Sequence, residues 1–401
     1  METRQIIANQ RALRQAFLSE KLAPSEVGEV TEVKISKDNN RICSGHIPAK
    51  LEKRVLTIPD LDTLKEIAGT PDELHQMNAV QWNQKVEELS DKFDLSTLRE
   101  HNNDNEELVC RLMNQYVYGD SDGVKACKEL LARVYFPMEV AYYGNEKTDL
   151  VVDANTNCYI GEEGKTSVCQ FRNIILNQGS RLVYNGIVDI SADNLTQLGD
   201  ASKTGNFVSI GQSGGDGGNG AAGGKGADGA PTQNGTDGMP GSSGSDGEDG
   251  KKSGTVTARI EKISGGMIYV CSIGGNGGNG GNGGKGGNGG NGGDGKDEKN
   301  RHSGGNGGNG GNGGNGGKGG NAGDSAEVFI YCNSPEKITM FHTAPKGGNG
   351  GDGGSGGDGG KGGNGDGGSS GTSGTPGASG KAGAAGAAGK EGAVNILPYD
   401  A

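Results

Sequence analysis

The sequence predicts a multidomain chain: an α-rich N-terminal domain, a short-strand β-solenoid, and a bundle of about six antiparallel polyglycine-II helices. Three observations predict it. Residues 1–147 have ordinary globular composition with helix-start signals. Residues 148–210 hold short apolar segments separated by Asn-Gly and Asn-Gln-Gly-Ser turns. Residues 211–401 carry glycine at every third position through long tracts.

The N-terminal region, 1–147, is expected to dock or assemble. Thr70-Pro71-Asp72-Glu73 combines a capping hydroxyl, a first-turn proline and a carboxylate three residues on, which is a helix start. Leu74, Met77, Val86, Leu89 and Phe93 would line the buried side of that helix. Further helices are expected at 3–20, 61–68, 105–117 and 122–134, the last with an apolar stripe of Val124, Cys127, Leu130, Leu131 and Val134. A hairpin from Val30 to Ile42 would turn at Asp38-Asn39-Asn40.

Between 148 and 210 the β signature is Leu150-Val151-Val152, Val168-Cys169-Gln170-Phe171, Ile174-Ile175-Leu176, Leu182-Val183-Tyr184, Ile187-Val188-Asp189-Ile190 and Phe207-Val208-Ser209-Ile210. Strands this short suit a compact solenoid or a small sandwich, and the solenoid is the favoured form. Its later coils would be interrupted by the glycine tracts, because strands recur at 255–273, 326–342 and 393–398.

From Gly211 to Gly250 the triplet fails only at Thr232, and from Gly347 to Gly392 it never fails. Each excursion turns back once, at 230–234, 296–303 and 369–373, which divides the tracts into rods 211–229, 235–250, 274–295, 304–323, 347–368 and 374–392. A backbone with three residues per turn and a rise of about 3.1 Å puts every third residue on one edge, so a rod of about twenty residues spans about 60 Å. Where that edge is glycine, a neighbour can approach until N–H meets C=O. Gly-Gly-Asn rods are bare on two edges, which places 274–295 and 304–323 centrally and the Gly-X-Y rods 235–250 and 374–392 outside. The Asn and Asp side chains are read as solvated edges. Two other readings stay open: a disordered glycine-rich tail on a helical partner-binding domain, since glycine loses most entropy on ordering, and a collagen trimer, which scarce proline disfavours.

Composition narrows the partners. A chain of 401 residues with net charge −12 and no basic stripe is a poor nucleic-acid binder. No apolar run approaches a membrane span, and Met1-Glu2-Thr3-Arg4 opens no signal-peptide core, which leaves a cytoplasmic component or a virion or extracellular fibre open. Cysteines 43, 110, 127, 158, 169, 271 and 332 lack C-x-x-C spacing and read as reduced thiols, with Cys271 and Cys332 expected to stack as neighbours. Gly161-Glu162-Glu163-Gly164-Lys165-Thr166 lacks the first glycine of a phosphate loop, Tyr159 standing there, and reads as a β-turn. Histidines 46, 75, 101, 302 and 342 are dispersed. No catalytic residue, cofactor or metal is therefore expected.

Runs such as Gly274-Gly-Asn-Gly-Gly-Asn, folded back across short polar loops, resemble the polyglycine-II bundles of T-even-type phage distal tail-fibre adhesins. They also resemble the snow-flea antifreeze protein and the glycine-rich repeats of PE_PGRS proteins. The likeness covers 211–392 only. It implies a rigid, non-enzymatic spacer or display platform in a fibre or particle, with tip loops touching a cell-surface receptor. The richest tip is Lys296, Asp297, Glu298, Lys299, Asn300, Arg301 and His302. The antifreeze likeness implies an alternative ice-binding role. Partners would be further copies of the chain or other fibre subunits, held through 1–147.

Overall fold

A computed structural model describes residues 3–21, 30–73, 112–113, 115–201, 205–296, 301–341 and 343–398. Its skeleton is two β-sheets. The nine-stranded sheet holds β1 (Thr31–Ile35), β3 (Lys53–Ile58), β4 (Met138–Gly144), β5 (Thr148–Val152), β7 (Thr166–Leu176), β9 (Ile187–Gln197), β11 (Val256–Gly265), β13 (Val328–Cys332) and β15 (Val394–Pro398). The six-stranded sheet holds β2 (Arg41–Ile42), β6 (Asn157–Ile160), β8 (Arg181–Tyr184), β10 (Phe207–Ile210), β12 (Ile268–Ile273) and β14 (Ile338–Phe341).

From β5 onward the chain alternates between the sheets, and from β7 onward each strand pairs in parallel with the one two places earlier, so the backbone winds as a two-sheet coil. Among the described strands only β3 and β4 pair antiparallel. Parallel strands covered on both faces read as unbroken apolar runs, and β13 is buried at all five residues. Its Val328, Ile330 and Cys332 join the core between the sheets, beside Ile190, Tyr184 and Phe207. Its Phe329 and Tyr331 face the other way, into a second core with Leu61, Leu64 and Ile67.

The helices build that second core. Those described in full are α1 (Thr3–Lys21), α2 (Leu61–Ala68) and α3 (Lys128–Tyr135), the last preceded by a 3-10 turn over Asp122–Cys127. The α2 helix starts where Asp60 accepts from the Thr63 amide at 2.8 Å, which satisfies one of the unpaired first-turn donors. It buries Leu61, Leu64, Ile67 and Ala68 against the sheet.

The expected class is thereby corrected. Among the described residues the fold is mostly parallel β-sheet with few helices, of α/β type in its elements, and not an assembly defined by an α-rich domain and a bundle of polyglycine helices. Within 1–147, assigned to an α-rich domain, residues 31–35, 41–42, 53–58 and 138–144 supply β1 to β4, because Val33, Ile35, Leu56 and Ile58 alternate into the cores. The glycine tracts are insertions between strands of this skeleton and hold no α-helix among the described residues. The hairpin at Val30–Ile42 is also corrected: β1 pairs with β5 and β2 with β6, so the turn passes the chain from one sheet to the other. Cys271 and Cys332 do not stack, since β12 and β13 lie in different sheets. Leu74, Met77, Val86, Leu89 and Phe93 lie outside the described residues, as does 105–111.

The segment resembling a phosphate loop is the turn between β6 and β7, with the Lys165 amide donating to Glu162 O at 3.1 Å. Gly186 lies against it at φ +79, and a Cβ there would stand 1.9 Å from Glu162 O. Only glycine allows that backbone approach.

Candidate functional site

The glycine segments continue the two sheets. After Ile210 pairs with Ile273 at the end of β10 and β12, the next rung is the Gly211 amide donating to Ile273 O at 2.9 Å. Further on, Gly214, Gly217 and Gly220 donate to Asn276, Asn279 and Asn282 O at 2.7 to 2.9 Å. Sequence separations carry over unchanged. Partners lie 63 residues apart both in β10–β12 and in Asp216–Asn279, and 70 apart both in β12–β14 and in Asn276–Lys346. The other layer keeps 72 from β11–β13 to Asp237–Asn309 and 66 from β13–β15 to Asn309–Thr375.

Segments 211–229, 274–295 and 347–368 thus form one layer, and 235–250, 304–323 and 374–392 the other, parallel within a layer and antiparallel between layers. Segments 274–295 and 304–323 each bond to four neighbours. Contact between layers is at backbone distance: a Cβ on Gly280 would meet Gly317 O at 2.1 Å, and one on Gly223 would meet Met239 O at 1.9 Å.

The Asn and Asp side chains are exposed, and they also bond the neighbouring segment. Asn276, Asn279, Asn282, Asn288 and Asn291 each accept, through Oδ1, the backbone amide of the adjacent residue in the neighbouring segment at 2.8 to 3.0 Å. Asn306, Asn309, Asn312 and Asn315 do the same for the last segment at 2.9 to 3.0 Å. The short Asn and Asp side chains carry a carbonyl or carboxylate oxygen that reaches this amide.

At the far end the three turns are tied together. The Thr232 amide donates to Asp294 O at 3.1 Å, and the Gly295 amide donates to Asn364 O at 2.8 Å. His302 and Asp366 exchange backbone bonds at 3.2 and 3.0 Å. Of the expected contact residues, Lys296 and Arg301 are exposed and His302 is half-buried. Asp297, Glu298, Lys299 and Asn300 lie outside the described residues. Among the described residues no group of His, Cys, Asp and Glu is placed to hold a metal.

At the opposite end, under the helices, lies a feature that the sequence reading missed. Asp189 on β9 accepts from Arg14 of α1 at 2.8 Å and from Arg259 of β11 at 2.5 Å. Arg14 also donates to Ile67 O at 3.1 Å and Arg259 to Ala68 O at 2.8 Å, so both guanidiniums meet the C-terminal carbonyls of α2, where cations are favoured. The Arg259 guanidinium lies 5.2 Å from the centre of the Tyr331 ring. Burial pushes the Asp189 carboxyl up, but Arg14 and Arg259 outweigh it and hold the group below the usual carboxylate range. Beside this cluster is a cavity of about 410 Å³, walled by Leu18, Leu64, Ile67, Tyr118, Met138 and Val168, with Arg14 and Asp189 in its lining. The available signal was a carboxylate inside Ile187-Val188-Asp189-Ile190.

Among the described residues no helix is long and apolar enough to cross a membrane. No protein-family model, no curated protein and no solved structure matches the chain.

Proposed function

We propose that the chain is a non-enzymatic display scaffold, in which the two-sheet coil is the base and the glycine layers are a stiff spacer presenting the 230–234, 296–303 and 369–373 turns to a partner. The observation that carries this reading is the uninterrupted series of backbone bonds leading from the sheets toward the tip, with registers inherited from the strands. A hydrogen-bonded, side-chain-poor slab offers little to catalysis and much to holding a fixed distance. The likeness of the triplets to phage distal tail-fibre adhesins supports a cell-surface receptor as the partner at the tip. Further copies or other fibre subunits are the partners assigned to the region 1–147.

The test is to image the purified chain by electron microscopy and measure its binding to candidate host cells, before and after replacing 296–303 by Gly and Ser. Filaments formed by the protein alone support the structural form of the reading. A monodisperse particle that binds cells and loses binding on replacement supports display. Amide exchange across 211–392 as fast as in an unstructured peptide would overturn both.

A further inference from the structure

The two-sheet coil has a closed end and an open one. At the first, Val33 and Ile35 of β1 and Ile42 of β2 are fully buried, and Leu51 joins them in the core between the sheets. At the last, β14 ends the six-stranded sheet and β15 the nine-stranded one, each with one edge unpaired among the described residues. Met340 shares a face with its register partner Val270 of β12, which lies in that core, yet Met340 is 47% exposed. Ile338, Val394 and Ile396 pack on the same core and are only partly buried. Unpaired strand edges carrying apolar residues are templates for a further strand.

The glycine segments extend this open face, since 347–368 follows β14 and 374–392 precedes β15, with Ser379, Ala382, Ala385 and Ala388 exposed along the latter. The face runs about 60 Å along the segments and about 15 Å along the strands, and is about 10 Å deep. Two copies meeting there would bury about 1,500 Å², the size of a stable interface. We propose that the chain forms a closed two-fold dimer through this face. An axis lying along the segments keeps their direction and exchanges the layers, so β15 of each copy takes the next place beside β14 of the other, antiparallel. Charges agree with that placement. A Cβ on Gly353 would stand 2.1 Å from Gly380 O, so Asp352 and Lys381 lie level on opposite faces of the slab. The axis carries the partner's Lys381 beside Asp352, and does so twice. Because each copy uses the same patch, assembly stops at two. The pairing stands apart from the display role and uses a face other than 1–147.

The test is sedimentation of the full chain over a concentration series. The expected result is a dimer with a dissociation constant in the micromolar range or tighter. Met340→Lys should weaken it about tenfold or more. Met239→Lys, on the opposite edge of the slab and 67% exposed, should leave it unchanged. Asp352→Lys opposes two lysines at both pairs and should weaken the dimer about tenfold, and adding Lys381→Asp should restore the natural constant. Ala382→Cys should link two copies on mild oxidation, because the axis sets residue 382 against its own counterpart. A chain still monomeric at about 100 µM overturns the proposal. So does growth beyond a dimer, a dimer indifferent to Met340→Lys, failure of the exchanged charges to restore it, or failure of Ala382→Cys to link.

Discussion

Gly217 and Gly218 are neighbours in the same segment, yet their replacement by alanine should have opposite consequences. A Cβ on Gly217 would stand 2.1 Å from Ser245 O and 2.8 Å from Asp246 O, both backbone atoms. Relief requires Ser245 to retreat by about 1 Å, since carbon and oxygen seldom approach closer than about 3 Å. Ser245 O accepts from the Gly281 amide at 2.9 Å and its amide donates to Gly218 O at 2.8 Å, while Gly217 itself donates to Asn279 O at 2.7 Å. Loosening three bonds at about 1 kcal/mol each, with overpacking of about 1–3 kcal/mol and partial relief by water at this outer segment, gives about 3–5 kcal/mol for Gly217→Ala. At Gly218 the nearest atom would be Ser245 Oγ at 3.8 Å, ordinary contact. Gly218→Ala should be neutral or stabilise by up to about 1 kcal/mol, because alanine has less freedom to lose from the unfolded chain. Native-state hydrogen exchange at Ser245 and Gly281, with urea unfolding of the whole chain, reads both. Equal exchange in the two variants would refute the close approach of the layers.

Asn309→Ala removes the acceptor of the Thr375 amide at 3.0 Å and of its hydroxyl at 2.9 Å. It should cost about 1 kcal/mol, read as faster exchange at Thr375, whereas Asn309→Asp should not. Asp189→Asn leaves Arg14 and Arg259 without their counter-charge and should lower stability by about 3–5 kcal/mol in thermal or urea unfolding. Because the folded Asp189 carboxyl lies below its unfolded value of about 3.9, its contribution is full above that pH and is lost as pH falls through the folded value. The acid limb of the stability curve should therefore be shallower in Asp189→Asn than in the natural chain. Gly186→Ala, with its Cβ 1.9 Å from Glu162 O at φ +79, should cost about 3 kcal/mol or more by thermal unfolding.

The legible parts of the chain are those whose period matches their surroundings. Alternation over Thr255–Ile260 falls in β11, the apolar run Val328–Cys332 is β13, and the helix signal at 61–68 coincides with α2. The β3 and β4 strands went unread because Lys53, Arg54 and Glu139 give their outward positions a helix-surface look, and the pairing that binds them is set by residues far off in the chain. Their helix-facing side, Leu56, Ile58, Val140 and Tyr142, belongs to a core that no local window contains. The charged cluster was invisible for a related reason. Arg259 sits at an alternating position that pattern alone assigns to water, and only the docking of α1 and α2 on that face buries it. The role of asparagine was equally hidden, since a residue exposed in its own segment gives no sign that its oxygen serves the next one.

Repetitive glycine triplets have a weakness of their own: any segment could slide by one repeat against its neighbour at almost no cost in contacts. The inherited spacings of 63, 70, 72 and 66 residues remove that ambiguity, because mixed-sequence strands at the root index every repeat beyond them. Growth of the projection is then constrained like a zip fastener. A triplet added to one leg alone would misalign every row beyond it, whereas matched additions to outgoing and returning legs, next to the turn, would lengthen the reach and leave the rows below undisturbed.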